Sequence, residues 1–160
     1  MTEAEYTSDI DGTRRFVLAG LAASIALIAV PVRADDELVA QAIAETFGDA
    51  PRQDGRITML LPPLAESGNT VPIQISVESP MSETDRVKRV VILATRNPRA
   101  LVATMEFGPG APRAQFSTNM RLSGTQDVIT IAEMSDGSLW QAQSRVLVTV
   151  GACDTLQIRY

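Results

Sequence analysis

The sequence predicts a mainly β protein, an antiparallel β-sandwich preceded by one short helix. Three observations carry this reading. From Gly55 onward apolar residues alternate with polar ones at period two, turn signals separate the runs at regular spacing, and one stretch ahead of them repeats apolar residues at helical spacing.

The helical stretch is "DDELVAQAIAETFGDAP", starting at Asp35. Val39, Ile43 and Phe47 stand at i, i+4 and i+8, with Leu38 and Ala42 beside them. Asp35 or Asp36 can cap its N-terminus, and Gly48 stands where a helix C-cap belongs. Packing against its own domain is the plain expectation for such a face, and docking to a partner is the alternative.

The strands come in order. "RITMLLP" leads into a turn rich in Pro, Gly and Asn, and "TVPIQISVES" then sets Val71, Ile73, Ile75 and Val77 on one face. "RVKRVVILATR" and "LVATMEF" come next, followed by "RAQFSTNMRL", in which Phe116, Thr118, Met120 and Leu122 share a face. "QDVITIAEMSDG" and "SLWQAQSRVLVTV" close the series, the second placing Val146, Val148 and Val150 together. "NPR", "GPG", "SGT" and "SDG" punctuate the runs. Trp140, just after "SDG", fits half-buried sandwich packing. "VVILA" holds more hydrophobics than one buried face requires, which suits either a fully buried central strand or a subunit contact.

Composition excludes several function classes. The 160 residues carry a formal net charge of −5 and no histidine. Residues 1–34 hold three arginines and four acids, so residues 35–160 keep a net charge of −4, without a basic cluster. Nucleic acid and anionic membrane surfaces are therefore poor partners. Without histidine, no Ser or Cys nucleophile of this chain can be activated by an imidazole of its own. The commonest metal ligand is missing too, one cysteine cannot build a thiolate zinc site, and the six methionines are scattered. No metal or other cofactor is expected.

Residues 1–34 read as an export signal. Arg14-Arg15 precede an apolar run from Phe16 to Val30, and Val32-x-Ala34 places small residues where a signal peptidase reads, with cleavage before Asp35. The run is shorter than the roughly 18 apolar residues of a membrane span, so a stable anchor is not expected. "TRRFVL" is similar to the twin-arginine pattern, with Val17 where Phe is usual. Periplasmic location is the expectation. Residues 35–150 then form the sandwich domain with its helix, and residues 151–160 a C-terminal arm.

That arm carries Cys153, the one cysteine of the chain. Gly151 and Ala152 loosen the backbone ahead of it, and "DTLQIRY" after it offers no obvious partner strand. A buried structural thiol, an intermolecular disulfide, a lipid attachment and a covalent carrier thiol are the four readings. A lipobox cysteine would sit at the cleavage site instead.

Two long stretches carry a resemblance. "SGNTVPIQISVESPMSETDRVKRVVILATRNP" and "STNMRLSGTQDVITIAEMSDGSLWQAQSRVLVTVGAC" resemble SoxY, the sulfur-carrier family of the periplasmic thiosulfate-oxidising Sox system. The likeness runs roughly from Asp36 to Cys153. It implies an immunoglobulin-like sandwich, by architecture alone, since the Cys…Trp…Cys signature of antibody domains is absent. It also implies a SoxZ-like subunit in a heterodimer, and Cys153 as the attachment point for sulfur on a flexible arm that includes Gly151 and Ala152. A c-type cytochrome, a hydrolase and a dehydrogenase would act on the carried sulfur, and the chain itself would not be an enzyme. The family's arm typically reads Gly-Gly-Cys-Gly-Gly, whereas Ala152, Asp154 and Thr155 stand here at glycine positions and five more residues come after them. A SoxY-derived subunit that carries nothing, serving binding or structure in another periplasmic oxidation system, is the alternative.

Overall fold

The structure, a computed structural model, describes residues 34–152. The expected signal peptide therefore lies outside the described residues but for Ala34, and so does Cys153 with the tail behind it.

Helix α1 spans Ala34–Phe47. It begins ahead of the acidic pair, so Asp35 and Asp36 lie in its first turn rather than at the capping position. Gly48, at φ 65°, ends it and donates its N–H to Ala44 O at 2.9 Å. Val39 and Ile43 are buried, as the spacing predicts.

Nine strands come after it among the described residues: β1 (Arg52–Asp54), β2 (Ile57–Leu60), β3 (Leu64–Ser67), β4 (Val71–Val77), β5 (Val87–Ala94), β6 (Leu101–Glu106), β7 (Ala114–Met120), β8 (Gln126–Met134) and β9 (Leu139–Val150). They form two sheets. The larger runs β1-β9-β8-β5-β6, with β3 also pairing β9, and the smaller runs β2-β4-β7. β2 and the six strands from β4 to β9 are the ones predicted, and they pair antiparallel with one another.

β1 and β3 depart from the purely antiparallel expectation, since both pair parallel to β9. β9 is 12 residues long, while β8 reaches only from Leu139 to Val146 along it. β1 pairs with the first residues of β9, Leu139 to Gln141, and β3 with its last, in the register Leu64↔Leu147 and Ser67↔Val150.

The core lies between the sheets. Val71, Ile73, Ile75 and Val77 of β4 point inward with exposures of 0–4%. They meet Val90, Ile92 and Ala94 of β5 and Val128 and Ala132 of β8. Pro72 interrupts β4 without breaking the sheet because β2 stops at the pair Leu60↔Gln74, which leaves β4 an edge at that point.

A second apolar layer decides the open question over "VVILA". Val91 and Leu93 of β5 and Ile131 of β8 face away from the first core, and Val39 and Ile43 of α1 cover them. β5 is thus a central strand buried on both faces within this chain, with Val90 to Ala94 at 0% exposure. No subunit contact is needed to bury it. Trp140 is partly buried against the sandwich core, as expected.

Candidate functional site: the root of the C-terminal arm

β9 delivers the chain to Gly151 and Ala152, the last described residues before Cys153. Both were expected to begin a flexible arm, and in the structure both lie against the sandwich. Gly151 is buried, and Ala152 N–H donates to Leu122 O at 3.0 Å. The reason is that the edge of β9 is continued by backbone from two other segments. Gly68, in the β3–β4 turn, donates its N–H to Val150 O at 2.7 Å and accepts from Leu122 N–H at 2.8 Å.

Leu122 is itself held. Its side chain is fully buried in the core, and its neighbours are tied to the β5–β6 turn. Asn97 Nδ2 donates to Arg121 O at 2.9 Å, and Asn97 Oδ1 accepts from Ser123 N–H at 2.9 Å and from Gln126 Nε2 at 3.0 Å. Gln126, only 2% exposed, accepts from Arg96 N–H at 2.8 Å and donates to Gly124 O at 3.1 Å. Thr125 Oγ1 completes the frame by accepting from Val148 N–H at 3.0 Å. Each of these polar groups is satisfied by a partner, so the network rigidifies this end of the sandwich.

Leu64 and Leu147 stand side by side near this root with exposures of 57% and 50%. An apolar pair presented to solvent there is a surface that a protein partner can cover.

The shifted carboxylates lie elsewhere. Glu133 and Asp136 flank the β8–β9 hairpin, at the opposite end of β9 from Ala152, roughly 35–40 Å along the strand. Burial pushes Glu133 up, but hydrogen bonds from Lys88 at 2.6 Å and Arg89 at 2.5 Å, with their charges, outweigh it and hold the carboxyl below its ordinary range. Ser138 lowers Asp136 by donating its hydroxyl at 2.7 Å and its N–H at 2.8 Å. Neither carboxylate bears on residues at the other end. Among the described residues no group of three or more His, Cys, Asp or Glu is placed to hold a metal. Nor is any described helix long and apolar enough to cross a membrane.

Gly68, Leu122, Asn97 and Gln126 do not stand out in the sequence as site residues. "SGN" and "SGT" register as turns, but nothing in either shows that residue 68 touches backbone 54 and 84 positions later.

Two packed sheets with a helix over the outer face of the larger one define an immunoglobulin-like β-sandwich. Residues 43–153 match the family described as "Sulfur oxidation protein SoxY", and the chain belongs to that family. The match reaches Cys153. The sulfur carrier protein SoxY from Chlorobium limicola f thiosulfatophilum has a similar structure, with TM-score 0.59 at 26% identity over 72% of this chain and 99% of that one. Superoxide reductases share the fold alone. The E23A neelaredoxin of Ignicoccus hospitalis has TM-score 0.53 at 15% identity, covering 69% of this chain and 86% of its own. The enzyme of Nanoarchaeum equitans has TM-score 0.51 at 14% identity, covering 60% and 100%. No curated protein matches the chain.

Proposed function

We propose that this chain is a covalent sulfur carrier of the periplasm, exported by the twin-arginine route, with Cys153 as the attachment point. The observation that carries the reading is the family match running through to Cys153, on a sandwich similar to a sulfur carrier protein. The thiolate of Cys153 joins the outer sulfur of thiosulfate in an S–S bond, and two electrons leave to a c-type cytochrome. Water then attacks the sulfonate sulfur under a hydrolase, releasing sulfate and leaving a persulfide on Cys153. A dehydrogenase oxidises the remaining sulfane sulfur. The chain supplies a nucleophile and a tether rather than a catalyst, in keeping with a sequence that lacks histidine. A SoxZ-like subunit completes the heterodimer in this reading, and the exposed Leu64–Leu147 pair offers it an apolar surface.

A second reading has a specific observation in its favour. Ala152, Asp154 and Thr155 replace the glycines of the family's arm, which places a carboxylate next to the thiol in the sequence. A SoxY-derived subunit that carries nothing would tolerate these changes. Intact mass of the protein taken from the periplasm without reductant separates the two. Reducible sulfur or thiosulfonate increments, absent from Cys153→Ser, are expected. An unmodified thiol in cells actively oxidising sulfur would sink the carrier reading.

A further inference from the structure

Gly68 sits where three backbone segments converge, and space alone forbids a side chain there. A Cβ on residue 68 would lie 2.0 Å from Leu122 O and 2.9 Å from Ala152 N. These two atoms are the acceptor and donor of one hydrogen bond, the one that ties Ala152 to the sandwich. Both belong to backbone, so no flexible side chain can swing aside. Gly68 is not among the residues with positive φ, so conformation does not demand a glycine here. The close approach does.

We infer that Gly68 is a positioning residue for the carrier thiol: it lets the β3–β4 turn and Leu122 close on Ala152 and so fixes the root of the arm one residue ahead of Cys153. This rests on the carrier reading of Cys153, although the clamp itself is legible without any sulfur chemistry. Consecutive Cα atoms are about 3.8 Å apart, so a fixed Ala152 sets the point from which the thiol is presented. A partner's active site then meets the root of the arm at a defined place on the sandwich rim. Less conformational freedom is lost when the arm enters a pocket, which favours productive docking. In this design glycine is needed at residue 68 rather than at residue 152.

A nitroxide label on Cys153 of the full exported protein tests the clamp. Wild type is expected to show a slow spectral component from the anchored root. Gly68→Ala should lose it, and Gly110→Ala, where a Cβ meets nothing within 4 Å, should keep it. Near-UV dichroism of Trp140 confirms that each variant is folded. Should Gly68→Ala not fold, Ala152→Pro removes the donor N–H, leaves residue 68 intact and carries the same expectation. A slow component retained in the folded variants, or absent from wild type, overturns the clamp. Mass occupancy of sulfur on unlabelled Cys153 reads the positioning role, and it should fall in the variants that lose the slow component. Unchanged occupancy in those variants overturns that role. An unmodified wild-type thiol defeats the carrier reading instead, and the label still decides the clamp.

Discussion

Arg89 Nη2 donates to the carbonyl oxygen of Thr46 at 3.0 Å, joining β5 to the last turn of α1. That last turn holds no basic residue of its own, so the cation facing the negative end of the helix dipole comes from the sheet. The same guanidinium lies 4.8 Å from the Phe47 ring centroid and pairs with Glu133. Arg89→Ala should therefore cost about 2 kcal/mol, the scale of charge-assisted hydrogen bonds. Urea unfolding measures it, and hydrogen exchange should rise first in the amides of residues 39–47. Arg89→Lys should recover only part of the loss, because an ammonium cannot span Thr46 and Glu133 with a planar fork.

Glu133 links this tie to pH. Its carboxyl is held below the ordinary range in the folded state, against its own burial, by Lys88 and Arg89. A depressed carboxylate contributes stability that is fully present above the unfolded pKa and is lost as pH falls through the folded one. Wild-type stability should thus decline on acidification starting near the ordinary value of 4.5. Glu133→Gln should be less stable than wild type at pH 7 by about 1–2 kcal/mol. The gap should narrow by pH 3, and parallel urea midpoints at the two pH values read the difference.

The longer strands and the helix were legible because burial writes a period into the sequence. Val71, Ile73, Ile75 and Val77 alternate since one face of β4 meets the core, and Val39 and Ile43 recur since one face of α1 covers β5. β1 and β3 wrote no such signal. Arg52, Gln53 and Asp54 are all exposed, and in β3 only Ala65 is buried, so backbone pairing with β9 holds them rather than side-chain packing. Cys153 was legible as a singular residue, whereas the hold on its root was not. Backbone atoms make that hold, and backbone is the same at every position.

Gln126 gives the polar frame around Leu122 a measurable weight. Its side chain is almost wholly buried and satisfies Arg96 N–H, Asn97 Oδ1 and Gly124 O together. Gln126→Leu fits the space but leaves the Arg96 N–H without this acceptor, a loss of about 1–3 kcal/mol. Thermal unfolding should show it. Exchange at Arg96 and Ser123 amides should rise more than at Ile131, since Ile131 lies in the helix-covered layer away from the network.

Gly55 and Trp140 supply the last expectation, at the opposite end of β9. Gly55 has φ 114°, a region L residues rarely adopt, and a Cβ there would sit 3.3 Å from Trp140 Cζ3. The indole is also capped by Arg56, whose guanidinium lies 5.0 Å from the ring centroid and pairs with Asp85 at 3.1 Å. Arg56 itself is at φ 52°, so two consecutive residues turn the chain beneath the tryptophan. Gly55→Ala must either strain this turn or push the ring outward, and strain of this kind costs about 1–3 kcal/mol. Trp140 is the sole tryptophan, so its fluorescence reports the site directly. A lower Tm with red-shifted native emission is expected for Gly55→Ala. Gly108→Ala, where a Cβ meets nothing within 4 Å, should match wild type in both measurements. Identical emission and Tm in Gly55→Ala would mean that the turn relaxes freely and that Trp140 does not depend on it.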